Sequence, residues 1–379
     1  MELTIQTYLK KNGLDKTIKT FDLKIRDYGH KILLKYNQLS PPTLMANPEV
    51  QECRGIILEK YTWRVMSLGF KKFFNSEEGN AHKIDWDTAH VLEKLDGSCI
   101  QVYYDDHDMT WYAGTTGTAN GEGEVNNKLG TTFNNLFWNT LETKYGISKE
   151  SWDKTRMKRY CYVFELMTPY NIVVKPHGES SATLLTVRDL ETLEEKSYEE
   201  LLMVGKTTGI PVVKSYDLNA KDVGTLLRTF ENMVWSEEGY VVVDEKFNRI
   251  KVKNPAYVAV HALKGKTAEY NIMEVVISNE IEEFGSVFPD RKQELLKLKK
   301  SYDNLVLKLN SIWLELGDNK PKNITPQEKK KFAMVVFETC AKYDVKNFTS
   351  LYFGLYEGKI QSIEEYISNY DRKTLYKIL

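Results

Sequence analysis

Cysteine is scarce in this sequence, with four in 379 residues: Cys53, Cys99, Cys161 and Cys340. No two of them form a C-x-x-C pair, which excludes the usual structural zinc patterns and suits a reducing compartment better than a disulfide framework. Long apolar runs are also missing. None approaches the roughly 18 residues of a membrane-spanning helix, and the start, Met1-Glu2-Leu3-Thr4, lacks the positive-then-apolar pattern of a secretion signal. A soluble, cytoplasmic protein with no membrane partner is the expectation. An excess of either charge is absent too. The 52 Lys+Arg against 53 Asp+Glu leave a net charge of −1, so any attraction for nucleic acid has to come from local patches. With 22 glycines and 10 prolines, no collagen-like or low-complexity chain is in view.

What is present is an ordinary globular composition, 42% hydrophobic and 28% charged. Its length gives a prior of two or three domains. The chain changes character near residue 255. Before it, β-branched and aromatic runs separated by turn residues read as strands at 31–36, 54–58, 65–70, 91–95, 100–104, 160–166, 184–187, 240–243 and 250–253. Helical stretches interrupt them at 126–145, 198–204 and 220–230. Short connections between strands predict an α+β fold with largely antiparallel sheets. After Pro255 helix signals take over. Leu295, Leu296, Leu298, Leu305, Leu307, Leu309, Trp313 and Leu316 are spaced for an amphipathic helix over 291–316 that ends at Gly317. Thr325-Pro326-Gln327-Glu328 and Ser362-Ile363-Glu364-Glu365 read as helix starts. The expected division is 1–255 and an all-helical 256–379.

Four strings carry chemistry only in combination. Glu93-Lys94-Leu95-Asp96-Gly97-Ser98 places a lysine at the end of a strand, just ahead of a turn; alone it reads as a surface Asp-Gly turn. Tyr160-Cys161-Tyr162-Val163-Phe164-Glu165 is an apolar strand carrying an acid. Glu237-Glu238-Gly239 precedes a valine run, and Arg249-Ile250-Lys251-Val252-Lys253 puts two amines on one strand face. Other signals fail. Gly205-Lys206-Thr207 has the tail of a P-loop, but Glu200 stands where that loop needs glycine. The six histidines show no metal-binding spacing.

In this order the strings resemble the covalent nucleotidyltransferase superfamily of nucleic-acid ligases and capping enzymes, with Leu185-Thr186-Val187-Arg188 similar to its intermediate strand motif. Upstream, Tyr36-Asn37, Glu52-Cys53-Arg54-Gly55-Ile56 and Lys72-Phe73-Phe74-Asn75, together with Tyr257 downstream, are similar to the phage-type RNA ligase 1 family, the tRNA-repairing ATP-dependent ligases. That resemblance implies a nucleotidyltransferase domain followed by an all-helical one. It further implies RNA with 5′-phosphate and 3′-hydroxyl ends as substrate, such as a nicked tRNA, and no obligate protein partner. ATP and Mg²⁺ or Mn²⁺ are the implied cofactors, and a phage-encoded member would act in the host cytoplasm.

The resemblance assigns Lys94 as the nucleophile that takes AMP from ATP, with Lys251, Lys253 and Glu238 beside it. Attack needs the neutral amine, which neighbouring cations and partial burial favour, and the same cations neutralise phosphate charge in the transition state. Nucleotide contacts fall to Tyr36, Arg54, Lys72, Phe74, Glu93, Asp96, Gly97, Glu165, Glu238, Lys251 and Lys253. Glu238, through water, and Glu165 are the metal candidates. One position departs from the family: Thr116, in Tyr112-Ala113-Gly114-Thr115-Thr116-Gly117, stands where a basic residue normally faces the triphosphate, and Lys71 is a candidate substitute. Lys71, Lys72, Lys246 and Arg249 are expected along an RNA path. Arg291, Lys292, Lys297, Lys299 and Lys300 form a candidate RNA face in the helical part, which is close to neutral with 19 basic and 17 acidic residues over 255–379. A DNA ligase, a GTP-using capping enzyme or a non-catalytic RNA-end binder are the alternatives. The first two usually continue into a β-rich domain where this chain turns helical, and the third has no need of the full set of reactive residues.

Overall fold

A computed structural model describes the chain apart from residues 1, 39, 126–129, 171–174, 176, 235, 259–267, 288 and 318–325. The residues group into two compact units, Met1–His261 and Ala262–Leu379.

The first unit opens with helices Thr4–Asn12 and Leu14–Phe21 and then builds thirteen described strands. These are Leu23–Asp27 (β1), Lys31–Tyr36 (β2), Arg54–Glu59 (β3), Val65–Ser67 (β4), Phe74–Asn75 (β5), His90–Glu93 (β6) and Ser98–Asp105 (β7). Thr110–Thr115 (β8), Tyr160–Met167 (β9), Ser181–Asp189 (β10), Ser215–Tyr216 (β11), Gly239–Val243 (β12) and Arg249–Lys253 (β13) complete them. They form three sheets, ordered β1-β2-β3-β4, β10-β9-β7-β8 and β11-β6-β12-β13-β5. Every described pairing is antiparallel except β13 with β5. The expected α+β class with antiparallel sheets is what the chain adopts.

The central strands of the first two sheets are buried on both faces, with Leu33, Ile57, Met66 and Tyr103 forming a cluster of their own. Ile100, Val102, Trp111, Phe137, Trp152, Phe164 and Val187 form one core between the second sheet and its helices. Ile5, Leu9, Ile32, Leu34, Ile56, Leu58 and Phe74 form another under the N-terminal helices. Burying a residue of this size removes roughly 1.5–3 kcal/mol of apolar exposure, so these clusters hold the frame that the polar residues stand on.

Several boundaries move. The strand expected over 65–70 stops at Ser67. Beyond it the Leu68 and Gly69 carbonyls accept from the Arg188 guanidinium (3.2 Å each), and the Gly69 N–H donates to the Gln101 side chain (2.9 Å). The helix expected over 126–145 starts at Phe133, where Thr132 accepts from the Asn135 N–H; residues 126–129 lie outside the described ones. Strand β1 has one buried residue of five, too weak an alternation to be seen in sequence.

The second unit is helical in its described residues: Ala268–Ser278, Ile281–Val287, Pro289–Gly317, Pro326–Lys342, Thr349–Tyr356, Ile363–Ser368 and Arg372–Ile378. In the long helix Leu295, Tyr302, Leu305, Val306, Leu309, Ile312 and Leu316 are buried, whereas Leu296 and Leu307 face solvent. The stripe follows the i, i+3, i+4 rule, and these two leucines fall off it. Ser362 caps Ile363–Ser368 as expected, accepting from the Glu365 N–H. Thr325 lies outside the described residues.

Candidate active site

The three sheets meet around a cavity of about 590 Å³. The first sheet contributes Lys35, Tyr36 and Arg54; the second Cys99, Thr115, Glu165 and Leu185; the third Leu92, Glu93, Val241, Arg249 and Lys251. Lys94, Asp96 and Gly97 line it from the link between β6 and β7, with Lys72 and Phe73 from the approach to β5 and Glu238 just ahead of β12.

Backbone contacts place Lys94. Its N–H donates to the Gly239 carbonyl (2.9 Å), so the strand register of β6 against β12 continues into the lysine. Its ammonium donates to Glu238 Oε1. Two glycines next to Lys94 and Glu238 are needed for close approach. A Cβ on Gly97 would lie 2.6 Å from the Leu166 carbonyl oxygen, and one on Gly239 (φ 129°) would lie 2.2 Å from that of Val252. Gly97 therefore serves as a contact against β9, which the surface-turn reading of Asp-Gly did not supply. Asp96 is buried and accepts from the Lys175 N–H (2.6 Å), while its carbonyl meets His177 Nε2 (2.7 Å).

The electrostatics are those of an anion site. Six cations line the cavity (Lys35, Arg54, Lys72, Lys94, Arg249, Lys251) against four carboxylates (Glu93, Asp96, Glu165, Glu238). Burial, with Glu238 and Asp96 adding to it against Lys94 and Arg54, pushes Glu165 up to about 8, so this acid is largely protonated at neutral pH and offers both a donor and an acceptor. Burial first, and then Lys72, Lys253, Lys94 and Arg54, push Lys251 down to about 7. Burial also raises Glu93 and pushes the Cys99 thiol up to about 12, which leaves it unreactive. Such clustered perturbation is what a folded chain pays in stability to hold a reactive site.

Most of the residues singled out in the sequence converge here: Tyr36, Arg54, Lys72, Glu93, Lys94, Asp96, Gly97, Glu165, Glu238 and Lys251 all line the cavity. Lys253 does not, although it shares the face of β13 with Lys251 and helps depress it. Phe74 is also not in the wall. It is buried in the core beneath Lys72, whose ammonium stands 5.1 Å from its ring centroid, and Phe70 and Phe73 present their rings instead. Lys71 is turned away to buried Glu52 (3.0 Å), which also accepts from the Ile5 N–H (2.9 Å), so it ties down the N-terminal helix. Arg249 is no open RNA contact. It is buried and forks onto Glu195 (2.9 and 2.5 Å), beside Arg188 on the same carboxylate. Tyr257 is buried at the end of the first unit. Sequence reasoning missed Lys35, which gave no motif signal. It also missed the meeting of His30 and His107, stacked at 4.1 Å, with Asp108. Lys31, 3.8 Å from Asp108 and 2.6 Å from Asp105, already supplies the positive charge there.

An antiparallel-sheet unit enclosing a cationic cavity lined by Lys94 is thus followed in the chain by helices. The chain belongs to the RNA ligase family, in its phage-type RNA ligase 1 branch: the family model described as RNA ligase matches residues 52–257. It is 27% identical over 348 residues to the RNA ligase of Rhodothermus phage RM378, covering 74% of this chain and 77% of that protein. Among solved structures it resembles an archaeal ATP-dependent RNA ligase. One form has a TM-score of 0.48 at 13% identity over 83% of each chain. The other has 0.45 at 13% identity, covering 93% of this chain and 83% of that one. No described helix is long and apolar enough to cross a membrane.

Proposed function

We propose that this chain is an ATP-dependent RNA ligase that joins 5′-phosphate and 3′-hydroxyl RNA ends through lysyl-AMP and RNA-adenylate intermediates, in the repair of nicked tRNA. The observation that carries this reading is the position of Lys94 in one cavity wall with Lys35, Arg54, Lys72 and Lys251, its ammonium donating to Glu238. A neutral-ligand pocket has no use for that charge, whereas a triphosphate does.

In the first step the Lys94 amine attacks the α-phosphorus of ATP. An N–P bond forms, the bond from the α-phosphorus to the bridging oxygen breaks, and its electron pair leaves with pyrophosphate; the amine proton is lost. Arg54, Lys72 and Lys251 neutralise the phosphate oxygens. Protonated Glu165 binds a ribose hydroxyl, its desolvation keeping the acid a donor. Tyr36 and Phe73 flank the nucleotide, each already facing a cation: Lys72 lies 5.5 Å from the Tyr36 ring and Arg54 5.6 Å from that of Phe73. Asp96 and Gly97 hold the loop shape. Glu238 would hold a divalent cation, Mg²⁺ or Mn²⁺, through water, as a carboxylate in the cavity wall beside Lys94. Such an ion would supply further charge neutralisation on the phosphates. AMP then passes to the RNA 5′-phosphate, and the 3′-hydroxyl displaces it.

Residues 1–255 carry this chemistry in our reading, and the helical residues from 256 onward choose the RNA. The test is incubation with α-labelled ATP or GTP and Mg²⁺, followed by a denaturing gel. Label retained from ATP supports a ligase; label from GTP alone points to a capping enzyme, and none to a non-catalytic binder.

A further inference from the structure

Lys35 is a half-buried cation facing others of its own charge. On β2 it pairs with Arg54 on β3 and with Lys24 on β1. Residues directly opposite in antiparallel strands share a face, so the three side chains form one row across the sheet. Like charges so placed repel, and burial adds to the cost. Both act on Lys35, where burial first, then Lys24, Arg54 and Arg26, lower its affinity for a proton. Among the described residues no carboxylate forms an ion pair with it. A row of this kind works against the stability of the free protein, and an anion is what offsets it.

The cavity says where the anion lies. Gly55, at φ 81°, sits where the register of β2 and β3 shifts, and a Cβ there would fall 2.6 Å from Thr116 Cα. This bulge presses β3 against the Thr115-Thr116-Gly117 turn, and Lys35, Arg54, Thr116 and Lys94 all line the same cavity. Thr116 brings a hydroxyl and no charge, and Lys71 is committed to Glu52. The carboxylates of the cavity come from the other two sheets and the links around Lys94, so the most negative part of a nucleotide is drawn to the β2–β3 side.

We propose that Lys35 binds the β- and γ-phosphates of ATP, supplying from β2 the cation that position 116 does not provide. This rests on the nucleotidyl-transfer reading above. The ammonium holds the part of ATP that departs as pyrophosphate when the Lys94 nitrogen bonds the α-phosphorus. It has no part in the later joining step, which begins with AMP already on the RNA.

The experiment uses the full chain with Lys35→Met, which keeps the stem and removes the charge, and Lys35→Arg. Lys35→Met is expected to raise the ATP concentration for half-maximal lysyl-AMP formation about ten- to hundredfold, the range of one charge-assisted hydrogen bond. Lys35→Arg recovers most of that loss, and Thr116→Lys placed in the Lys35→Met protein recovers part of it. Joining of pre-adenylated RNA without ATP stays within about twofold of the parent, a change too small to be one lost ionic contact. The melting temperature of the free protein holds or rises, because a repelled, half-buried charge is gone. Normal ATP dependence in Lys35→Met overturns the proposal. So does loss of joining alone, which makes Lys35 an RNA contact, and so does a parallel loss of both steps with a lower melting temperature, which makes it structural. A parent protein that forms no adduct overturns the nucleotidyl-transfer reading itself, and this proposal with it.

Discussion

Lys94 and Glu238 stand 144 residues apart in the chain and meet as a hydrogen-bonded ion pair in the cavity wall. A divalent cation arriving with the nucleotide would compete with the lysine for the Glu238 carboxylate. Glu238→Gln should therefore raise the Mg²⁺ or Mn²⁺ concentration needed for half-maximal adduct formation by about ten- to hundredfold, as the loss of an outer-shell carboxylate commonly does. A metal titration of self-adenylation measures this, and an unchanged requirement removes Glu238 from the metal site.

Lys94→Ala should abolish transfer of label to the protein without unfolding it. Lys94→Arg should fail as well, since a guanidinium stays charged at any working pH. Peptide mapping of the parent adduct is the check, and label on another lysine would sink the assignment.

Replacing Lys251 and Lys253 together with methionine should slow self-adenylation by orders of magnitude, because two cations beside the phosphate are lost at once. In the parent, the rate should rise with pH well below the ordinary range of a lysine. Single-turnover rates across pH decide the matter; a double variant that adenylates at the parent rate leaves the two as strand lysines.

Stability of the free protein should pass through a minimum near neutrality. Glu165 is raised from 4.5 to about 8, so between these values the native chain holds a proton that the unfolded chain has lost, and stability falls as pH rises. Lys251 is lowered from 10.5 to about 7. Across that window the unfolded chain holds the extra proton, and stability rises with pH. Glu165→Gln should flatten the acid limb and Lys251→Met the alkaline limb in melting curves from pH 5 to 10. A Glu165→Gln protein with the parent's slope on the acid side would contradict the raised carboxyl.

A chain ending at His261 keeps every described residue of the cavity wall. It should still form the lysyl-AMP adduct, while joining of a nicked tRNA falls further than joining of an unstructured RNA of equal length. Equal losses on both RNAs would make the helical unit a scaffold with no say in the substrate.

The sequence by itself determined the order of the reactive strings, the α+β character of the first part and the helical character of the second. Each of these is a local property: strand alternation, helix periodicity and the residue types next to Lys94 are written within a few positions of one another. It also pointed to Tyr36, Arg54 and Lys72, far upstream of Lys94, but only through their likeness to a family. What the tertiary structure alone decided is which charges face the cavity. Lys71 and Lys72 are neighbours in the chain, yet one ties Glu52 to the N-terminal helix and the other enters the wall. Phe74 belongs to the core although it follows Phe73, which lines the cavity, because adjacent residues in an extended chain point to opposite faces. Lys35 is ordinary in sequence and becomes a half-buried, repelled cation only when β1, β2 and β3 align it with Lys24 and Arg54. Cross-strand register is set by the packing of whole sheets, and no local pattern encodes it.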